Sequence, residues 1–156
     1  VSVYFELHGD GLQTDEGKPM VITRNFTLTL GEQGALRPAL EGWRGRSFTN
    51  DELRGFDLKN LLDKWALVTV KHTETNGLTY ANLVSLSPVP SVMAKSLPQG
   101  INPCVYFNLD EFDQKIFDGL SENVKKKIMA SAEMQNRAIM DLASKAKQEI
   151  ADDIPF

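Results

Sequence analysis

Residues 64–86 read Lys64-Trp-Ala-Leu-Val-Thr-Val-Lys-His-Thr-Glu-Thr-Asn-Gly-Leu-Thr-Tyr-Ala-Asn-Leu-Val-Ser-Leu86. This stretch contains two runs rich in strand-forming residues, 64–73 and 78–86, separated by Glu74-Thr75-Asn76-Gly77. An Asn-Gly pair between two strand patterns is a strong hairpin signal, because both residues tolerate the positive φ angles of a tight turn. The sequence therefore predicts an antiparallel hairpin here.

The period of two in a strand predicts which side chains of this hairpin share a face. If Val70 points into a core, Lys71 points to the opposite face. If Leu83 also points inward, Tyr80 emerges beside Lys71 on the outer face. The opposite parity buries Tyr80 as an ordinary core residue, and the pattern alone leaves both arrangements open.

Upstream of the hairpin, the sequence predicts two more strands and a helical insert. Residues 3–7 are rich in strand formers, and residues 20–30 alternate between two faces as a long strand does. The Gly-rich residues 8–18 between them suit a hairpin loop. The helical pieces are predicted at residues 31–43, at a turn capped by Thr49-Asn50-Asp51-Glu52, and at residues 57–62.

The order strand, strand, helical insert, hairpin predicts the fold class, which is a β-barrel with helical additions and α+β composition. The specific expectation is an OB-fold-like five-stranded barrel with a helical insert and a C-terminal helical extension. Four strands are recognisable, and the fifth is expected either upstream of Val1 or at residues 104–108. The predicted domains are residues 1–108 for the barrel, 109–150 for the helical extension and 151–156 for a terminal tip.

The second half of the chain is predicted to be a connector followed by helices. Residues 88–103 are rich in Pro, as an extended connector is. Asp110 is expected to cap a helix running towards Phe117, and Ser121 is expected to cap another. Beyond them, apolar and small residues recur at steps of four and three, a seam that suits a coiled coil and hence a homo-oligomer, docking on the barrel, or a short frayed helix. The seam comprises Ile128, Ala132, Gln135, Ile139, Leu142 and Ala146, followed by Ile150.

Composition and charge are those of an ordinary globular protein. The 156 residues include 17 Lys and Arg against 21 Asp and Glu, a net charge of −4. This balance disfavours a surface that binds phosphates everywhere but permits a local basic groove. The single Cys104 excludes an internal disulfide, and neither a signal peptide nor an apolar run of about 18 residues is visible. The expectation is a cytoplasmic protein that does not contact a membrane.

The last residues, Ala151-Asp152-Asp153-Ile154-Pro155-Phe156, have the properties of a docking peptide. Phe156 offers an aromatic ring and an α-carboxylate on one residue, and Pro155 restricts the backbone, which lowers the entropy lost on docking. Asp152 and Asp153 steer the peptide towards a basic rim around an apolar pocket. This ending resembles the terminal tip of bacterial single-stranded DNA-binding proteins, which implies that it binds host replication and repair proteins. The alternative is an ordinary acidic terminus with a stray aromatic residue.

A second resemblance covers residues 3–117. Its segments are Leu40-Glu-Gly-Trp-Arg-Gly-Arg-Ser-Phe-Thr49, Gly55-Phe-Asp-Leu58, Val68-Thr-Val-Lys-His-Thr73, Thr79-Tyr-Ala-Asn82 and Val105-Tyr-Phe107. Together they resemble a family of phage-encoded proteins described as single-stranded DNA-binding or replication-associated. The resemblance implies an oligonucleotide-binding barrel and a bacterial host cell. No extended match to the barrel of cellular single-stranded DNA-binding proteins is present.

A surface that binds single strands needs aromatic rings for stacking and cations along the phosphate backbone. The candidates are Arg24, Trp43, Arg44, Arg46, Lys71 and Tyr80. In the cluster Trp43-Arg44-Gly45-Arg46, two cations flank a Gly that permits close approach of the backbone. The alternative is that Trp43 anchors the insert in the core while both arginines face solvent. The run Lys125-Lys126-Lys127 is interpreted either as a solvated helix face or as a cationic patch.

These features predict a single-stranded DNA-binding protein that coats exposed strands in phage replication, recombination and repair and recruits host proteins through its tip. The alternative is an interaction protein that occupies host factors through the tip and binds little DNA. Neither catalysis nor a cofactor or metal is expected, since the sequence has no Gly-rich phosphate loop and no Cys/His metal spacing. Asp110-Glu111-Phe112-Asp113 is interpreted as a helix start rather than a carboxylate metal site.

Overall fold

In a computed structural model, the chain forms two compact units, Val1–Cys104 and Val105–Phe156. The structure describes the backbone of residues 1–152 and the side chains of residues 1–145. The elements of the first unit are β1 (Ser2–Glu6), β2 (Val21–Asn25), α1 (Leu36–Arg44), α2 (Asn50–Gly55), a 3-10 helix (Leu58–Leu61), β3 (Leu67–Thr75), β4 (Leu78–Ser87) and α3 (Ser91–Ala94). Those of the second unit are α4 (Gln114–Gly119), α5 (Glu122–Met129) and α6 (Ala132–Asp152).

The predicted hairpin is present as the antiparallel pair of β3 and β4. Its turn is closed by Asn76 and Gly77, whose φ angles are 53° and 75°. Positive φ at both central residues gives a turn whose twist matches that of the flanking strands. The register shifts at a β-bulge between Thr69 and Val70, which lies near the base of the hairpin. The hairpin prediction is therefore confirmed.

The predicted OB-fold-like five-stranded barrel is wrong. Within the described residues, the strands form two separate two-stranded antiparallel sheets of a small α+β fold, and they do not close into a barrel. The strand predicted at 20–30 is shorter, Val21–Asn25, and residues 104–108 form no strand. Where β2 lies beside β4, Arg24 Nη1 donates to the Val84 carbonyl oxygen at 2.8 Å. Barrel closure requires continuous backbone pairing around the sheet. Two separate pairs of strands do not supply it.

Helix α1 packs its buried face against the strands. Leu36, Leu40 and Trp43 are buried and recur at the period of one helix face. The other members of this core are Ile22, Phe26, Phe48, Leu83 and Leu86. At Gly42, a Cβ atom would lie 2.7 Å from the Leu86 carbonyl oxygen. Glycine therefore allows α1 to approach the backbone of β4 closely.

Local hydrogen bonds set the ends of the helical insert. The residue after α1, Gly45, has a left-handed φ of 68°, and the Arg46 N–H then donates to the Glu41 carbonyl oxygen. α2 begins after Thr49, whose hydroxyl accepts from the Glu52 N–H, while the Glu52 carboxylate accepts from the Thr49 N–H. This reciprocal pair is a capping box. The predicted cap at Thr49 is therefore confirmed.

In the second unit, α4 begins later than predicted. Its cap is Asp113, whose carboxylate accepts from the N–H groups of Lys115 and Ile116. Asp110, the predicted cap, lies in a turn in which its N–H donates to the Asn108 side chain at 3.2 Å. Short polar side chains accept from backbone N–H groups in turns as well as at helix starts, so composition alone did not show which residue of 108–113 begins the helix.

Three aromatic rings and one arginine pack together in the second unit. The ring centroids of Phe107, Phe112 and Phe117 lie 5.3 to 6.0 Å apart. The Arg137 guanidinium lies 5.2 Å from the Phe112 ring centroid and donates to the Leu109 carbonyl oxygen at 2.9 Å. These contacts link α6 to the segment that precedes α4.

The predicted seam is divided between two helices, because Ile128 lies on α5 and the seam continues on α6 from Ala132. Its residues Ile139 and Leu142 are 63% and 68% exposed, so this apolar stripe is open within the described residues. The side chains of Ala146 and Ile150, which continue the seam, lie outside the described residues. None of the described helices has the length and apolar character needed to cross a membrane.

Candidate nucleic-acid interface

Two of the predicted residues, Lys71 and Tyr80, lie on one face of the β3–β4 hairpin. The register places Lys71 opposite Asn82 and Thr73 opposite Tyr80, so the four side chains share that face. The Asn82 amide nitrogen donates to the Thr73 hydroxyl at 2.8 Å. Tyr80 is the diagonal neighbour of Lys71 and is 50% exposed. Of the two arrangements that the sequence left open, the structure has the one that exposes Tyr80.

The end of this hairpin is exposed on both faces. Val70 is half-buried and Leu83 is buried, whereas every residue from 71 to 82 is exposed. The hairpin therefore extends beyond the core as a two-stranded arm, named here the β3–β4 arm (residues 71–82). A sheet surface of this kind presents ring and ammonium groups to a ligand at the same time.

Trp43 is a core residue. It is 7% exposed, and its ring centroid lies 5.2 Å from that of Phe5. Its Nε1–H donates to the Trp65 carbonyl oxygen at 2.8 Å, which satisfies the one polar group of the indole. Of the two interpretations of Trp43, the structure has the one in which this residue anchors the helical insert in the core. Its ring has no open face for a base.

Arg44 and Arg46 share the carboxylate of Glu52. Arg46 donates through Nη2 to Glu52 Oε1 at 2.7 Å and through Nη1 to Oε2 at 3.0 Å. Arg44 Nη2 also donates to Oε1, and its guanidinium lies 4.2 Å from the Phe48 ring centroid and 5.5 Å from that of Phe56. The Arg44 side chain is 16% exposed and that of Arg46 is 57% exposed. Arg44 is therefore a packed partner, and Arg46 is the accessible member of the pair.

The Glu52 carboxylate is held in its charged form. Hydrogen bonds from Arg46 and from the Thr49 N–H lower the pKa of Glu52 well below its ordinary value, against a desolvation that raises it, and Arg44 adds to the lowering. A permanent negative charge therefore lies between the two arginines. It offsets part of the positive charge that the sequence predicted for this cluster.

Arg24 links the two sheets. It lies on the same face of β2 as the buried Ile22 and Phe26. Its guanidinium lies 5.0 Å from the Phe26 ring centroid and donates to the Val84 carbonyl oxygen of β4. These contacts give Arg24 a structural role at the junction of β2 and β4.

The predicted residues thus do not form one surface, and one further residue, Glu52, joins the candidate site. Its pairing with Arg46 spans the end of one helix and the start of another. No local pattern predicts such a pairing.

The remaining predicted features lie in the C-terminal part. The tip residues Asp153, Ile154, Pro155 and Phe156 lie outside the described residues, as does the side chain of Asp152. In the lysine run 125–127, Lys125 pairs with Glu122 at 3.1 Å along the same helix. Across the described part of the chain, no group of three or more His, Cys, Asp and Glu side chains is placed to hold a metal ion.

In comparisons with known proteins, no family model, no curated protein and no solved structure matches this chain. Its functional interpretation therefore depends on the residues and contacts described above.

Proposed function

We propose that this protein binds single-stranded DNA and that the β3–β4 arm is part of its binding surface. The observation that carries the proposal is the exposed Tyr80 ring beside the Lys71 ammonium on one face of the arm. An aromatic ring stacks on any base, and a neighbouring cation meets the phosphate backbone. This combination suits binding that tolerates many sequences.

The proposed role is to coat exposed strands during phage replication, recombination and repair in the cytoplasm of a bacterial host cell. The resemblance of residues 3–117 to phage-encoded single-stranded DNA-binding proteins supports this setting. Residues 151–156 would recruit host replication and repair proteins, because their aromatic, aliphatic and acidic groups suit an apolar pocket with a basic rim. Coating and recruitment would then bring host enzymes to the strand.

Fluorescence anisotropy with a labelled oligo-dT tests the role of the arm. Tyr80→Leu removes the ring, and we expect the affinity to fall about 5- to 150-fold, because each stacked base contributes about 1–3 kcal/mol. Tyr80→Phe keeps the ring and is expected to bind like the wild-type protein. Equal affinities of Tyr80→Leu and the wild type would remove the arm from the proposal.

The salt dependence of the same titration tests the electrostatic contribution. Lys71→Gln is expected to lower the slope of log affinity against log salt by about 0.7, the loss of one phosphate contact to a single strand. Lys18→Gln is the control, since Lys18 is exposed and pairs with Glu16 in the loop between β1 and β2. A wild-type protein without affinity at low salt would contradict the proposal, because phosphate contacts strengthen as salt falls.

A second candidate function is that of an interaction protein that occupies host replication and repair factors through the tip and binds little DNA. The pairing of Arg44 and Arg46 with Glu52 favours it, because this pairing lowers the positive charge available to phosphates. Phe156→Ala separates the two roles. Capture of host proteins is expected to be lost and oligonucleotide affinity to stay unchanged, whereas retained capture would refute the docking role.

We also propose that α6 associates with α6 of a second copy of this chain. Ile139 and Leu142 are exposed and have the spacing of a coiled-coil seam. Sedimentation tests this association: the wild type is expected to sediment as an oligomer, and Leu142→Asn is expected to lower its mass. A monomeric wild-type protein would refute it.

A further inference from the structure

We infer that the Arg46 guanidinium is a second phosphate-binding position for single-stranded DNA, and that Glu52 occupies this position in the unbound protein. The inference rests on the proposed binding of single-stranded DNA and adds a site outside the β3–β4 arm. The ligand is one phosphodiester group of the oligonucleotide backbone. On binding, it displaces the Glu52 carboxylate from Arg46.

The contact between Arg46 and Glu52 has the geometry of a guanidinium–phosphate contact. Two N–H groups of Arg46 donate to the two carboxylate oxygens, at 2.7 and 3.0 Å. A phosphate group accepts the same pair of parallel hydrogen bonds from a guanidinium. Glu52 therefore lies where two phosphate oxygens fit.

Arg46 can leave Glu52 without leaving a buried charge unpaired. The Arg46 side chain is 57% exposed, and exposed ion pairs contribute little to stability. Glu52 keeps two partners when Arg46 leaves, the Arg44 guanidinium and the Thr49 N–H. The helical insert therefore keeps its cap and its packed ion pair during the exchange.

Arg44 stays in place and favours an additional anion. Its guanidinium is packed over the rings of Phe48 and Phe56. Its Nη1 atom is buried and has no hydrogen-bond partner within the described part of the chain. The two arginines thus offer more donors than one carboxylate satisfies, and buried donors are ordinarily paired. A phosphate group would bring further acceptor oxygens to this cluster.

The Arg46 position lies near the end of β4 that is remote from Tyr80. A Cβ atom on Gly45 would lie 3.0 Å from the Pro88 ring, so the end of α1 lies beside the end of β4. Tyr80 and Pro88 are separated along the chain by at most about 26 Å of extended strand. An oligonucleotide long enough to cover this distance reaches both positions.

Glu52→Gln tests the inference without removing the helix cap. Glutamine also completes a capping box with Thr49, but it lacks the charge that competes with a phosphate. We expect the affinity for a labelled oligo-dT of about 30 nucleotides to rise about two- to fivefold, which corresponds to the strength of one exposed ion pair. The slope of log affinity against log salt is expected to stay that of the wild type, because Arg46 meets the phosphate in both complexes, and to fall by about 0.7 in Arg46→Gln.

Asp51→Asn is the matched control for the change in net charge. Asp51 is the neighbouring residue of α2, and its 92% exposed side chain lies 3.5 Å from Arg54. It therefore reports the long-range effect of removing one negative charge. In the double variant Glu52→Gln/Arg46→Gln, the gain is expected to disappear, because the gain comes from the released guanidinium. Arg46→Gln alone is expected to weaken binding.

The outcomes separate this inference from the proposed function. A gain in Glu52→Gln that exceeds that of Asp51→Asn and requires Arg46 supports the inference. Equal gains in the two single variants, or a gain that persists without Arg46, overturn it while wild-type binding still supports the proposed function. Absence of oligonucleotide binding by the wild type and every variant overturns both. If Glu52→Gln does not fold, as judged by circular dichroism, unchanged binding by Arg46→Gln overturns the inference.

Discussion

Gly42 sets how closely helix α1 approaches strand β4. A Cβ atom at this position would lie 2.7 Å from the Leu86 carbonyl oxygen, so the backbone would have to move. Gly42→Ala gains about 1 kcal/mol of helix propensity, but overpacking in a core costs about 1–3 kcal/mol. Because the clash is with backbone, we expect a net loss of up to about 2 kcal/mol in the free energy of unfolding, measured by urea denaturation.

Gly55→Ala is the matched control for this substitution. Gly55 is the last residue of α2, and beyond its own helix backbone and chain neighbours a Cβ atom there would meet no described atom within 4 Å. We expect the free energy of unfolding to stay unchanged or to rise by up to about 1 kcal/mol. Equal effects of the two substitutions would show that contact with Leu86 does not decide the choice of glycine at residue 42.

Among the elements, the β3–β4 arm depends on its turn. Gly77 has a φ of 75°, and an L-residue in this left-handed region costs about 1–2 kcal/mol. The arm has no buried residue between 71 and 82 to offset that cost. Gly77→Ala is therefore expected to open the arm locally and to speed amide hydrogen exchange of residues 71–82, while exchange in Leu36–Arg44 stays slow. Unchanged protection of the arm would contradict this expectation.

One carboxylate ties β1 to the segment that follows α3. Glu6 accepts from the Ile101 N–H at 2.8 Å and from the Asn102 N–H at 2.7 Å, and His8 Nε2 lies 2.5 Å from it. Burial raises the pKa of Glu6, but the hydrogen bonds together lower it by more than burial raises it. The pKa of Glu6 is therefore below the ordinary value of 4.5. The charged form of Glu6 is therefore the form that holds the segment.

This contact is expected to weaken in acid. A carboxylate with a lowered pKa stabilises the fold at pH values above its unfolded pKa, and this contribution is lost as pH falls through the folded pKa. Below pH 4.5, the ordinary value for Glu, we expect residues 100–102 to gain amide exchange beyond the intrinsic pH effect. Glu6→Gln is expected to show the loosened segment at neutral pH and no further change in acid. If the acid transition persists in Glu6→Gln, a group other than Glu6 causes it.

For the whole molecule, the buried core belongs to one unit. All the buried apolar residues among the described side chains lie in Val1–Cys104. The β3–β4 arm and Arg46 lie in the same unit. We therefore expect residues 1–104 alone to unfold in one cooperative urea transition, followed by Trp fluorescence. We also expect them to bind an oligo-dT too short to contact two copies with the affinity of the full chain. A fragment without a cooperative transition would show that the second unit is required for folding.

Parts of the fold that depend on neighbours along the chain were predictable. Asn76-Gly77 predicted the hairpin turn, and Thr49 predicted a helix cap, because each signal lies within a few residues of the structure it forms. The barrel was not predictable in the same way. Alternation predicts a strand but not its hydrogen-bonding partner, and within the part of the chain that the structure describes β1 pairs with β2 alone and β3 with β4 alone.

The sequence by itself determined the hairpin, the capped helical insert and the α+β composition. The tertiary structure decided which face of the hairpin covers the core, and thereby exposed Tyr80 and buried Leu83. It also placed Trp43 in the core and gave Arg46 the carboxylate of Glu52 as a partner. Local signals act through backbone geometry over a few residues, whereas burial and ion pairing depend on which distant segments pack together. That packing also decides which cations and rings remain available to a ligand.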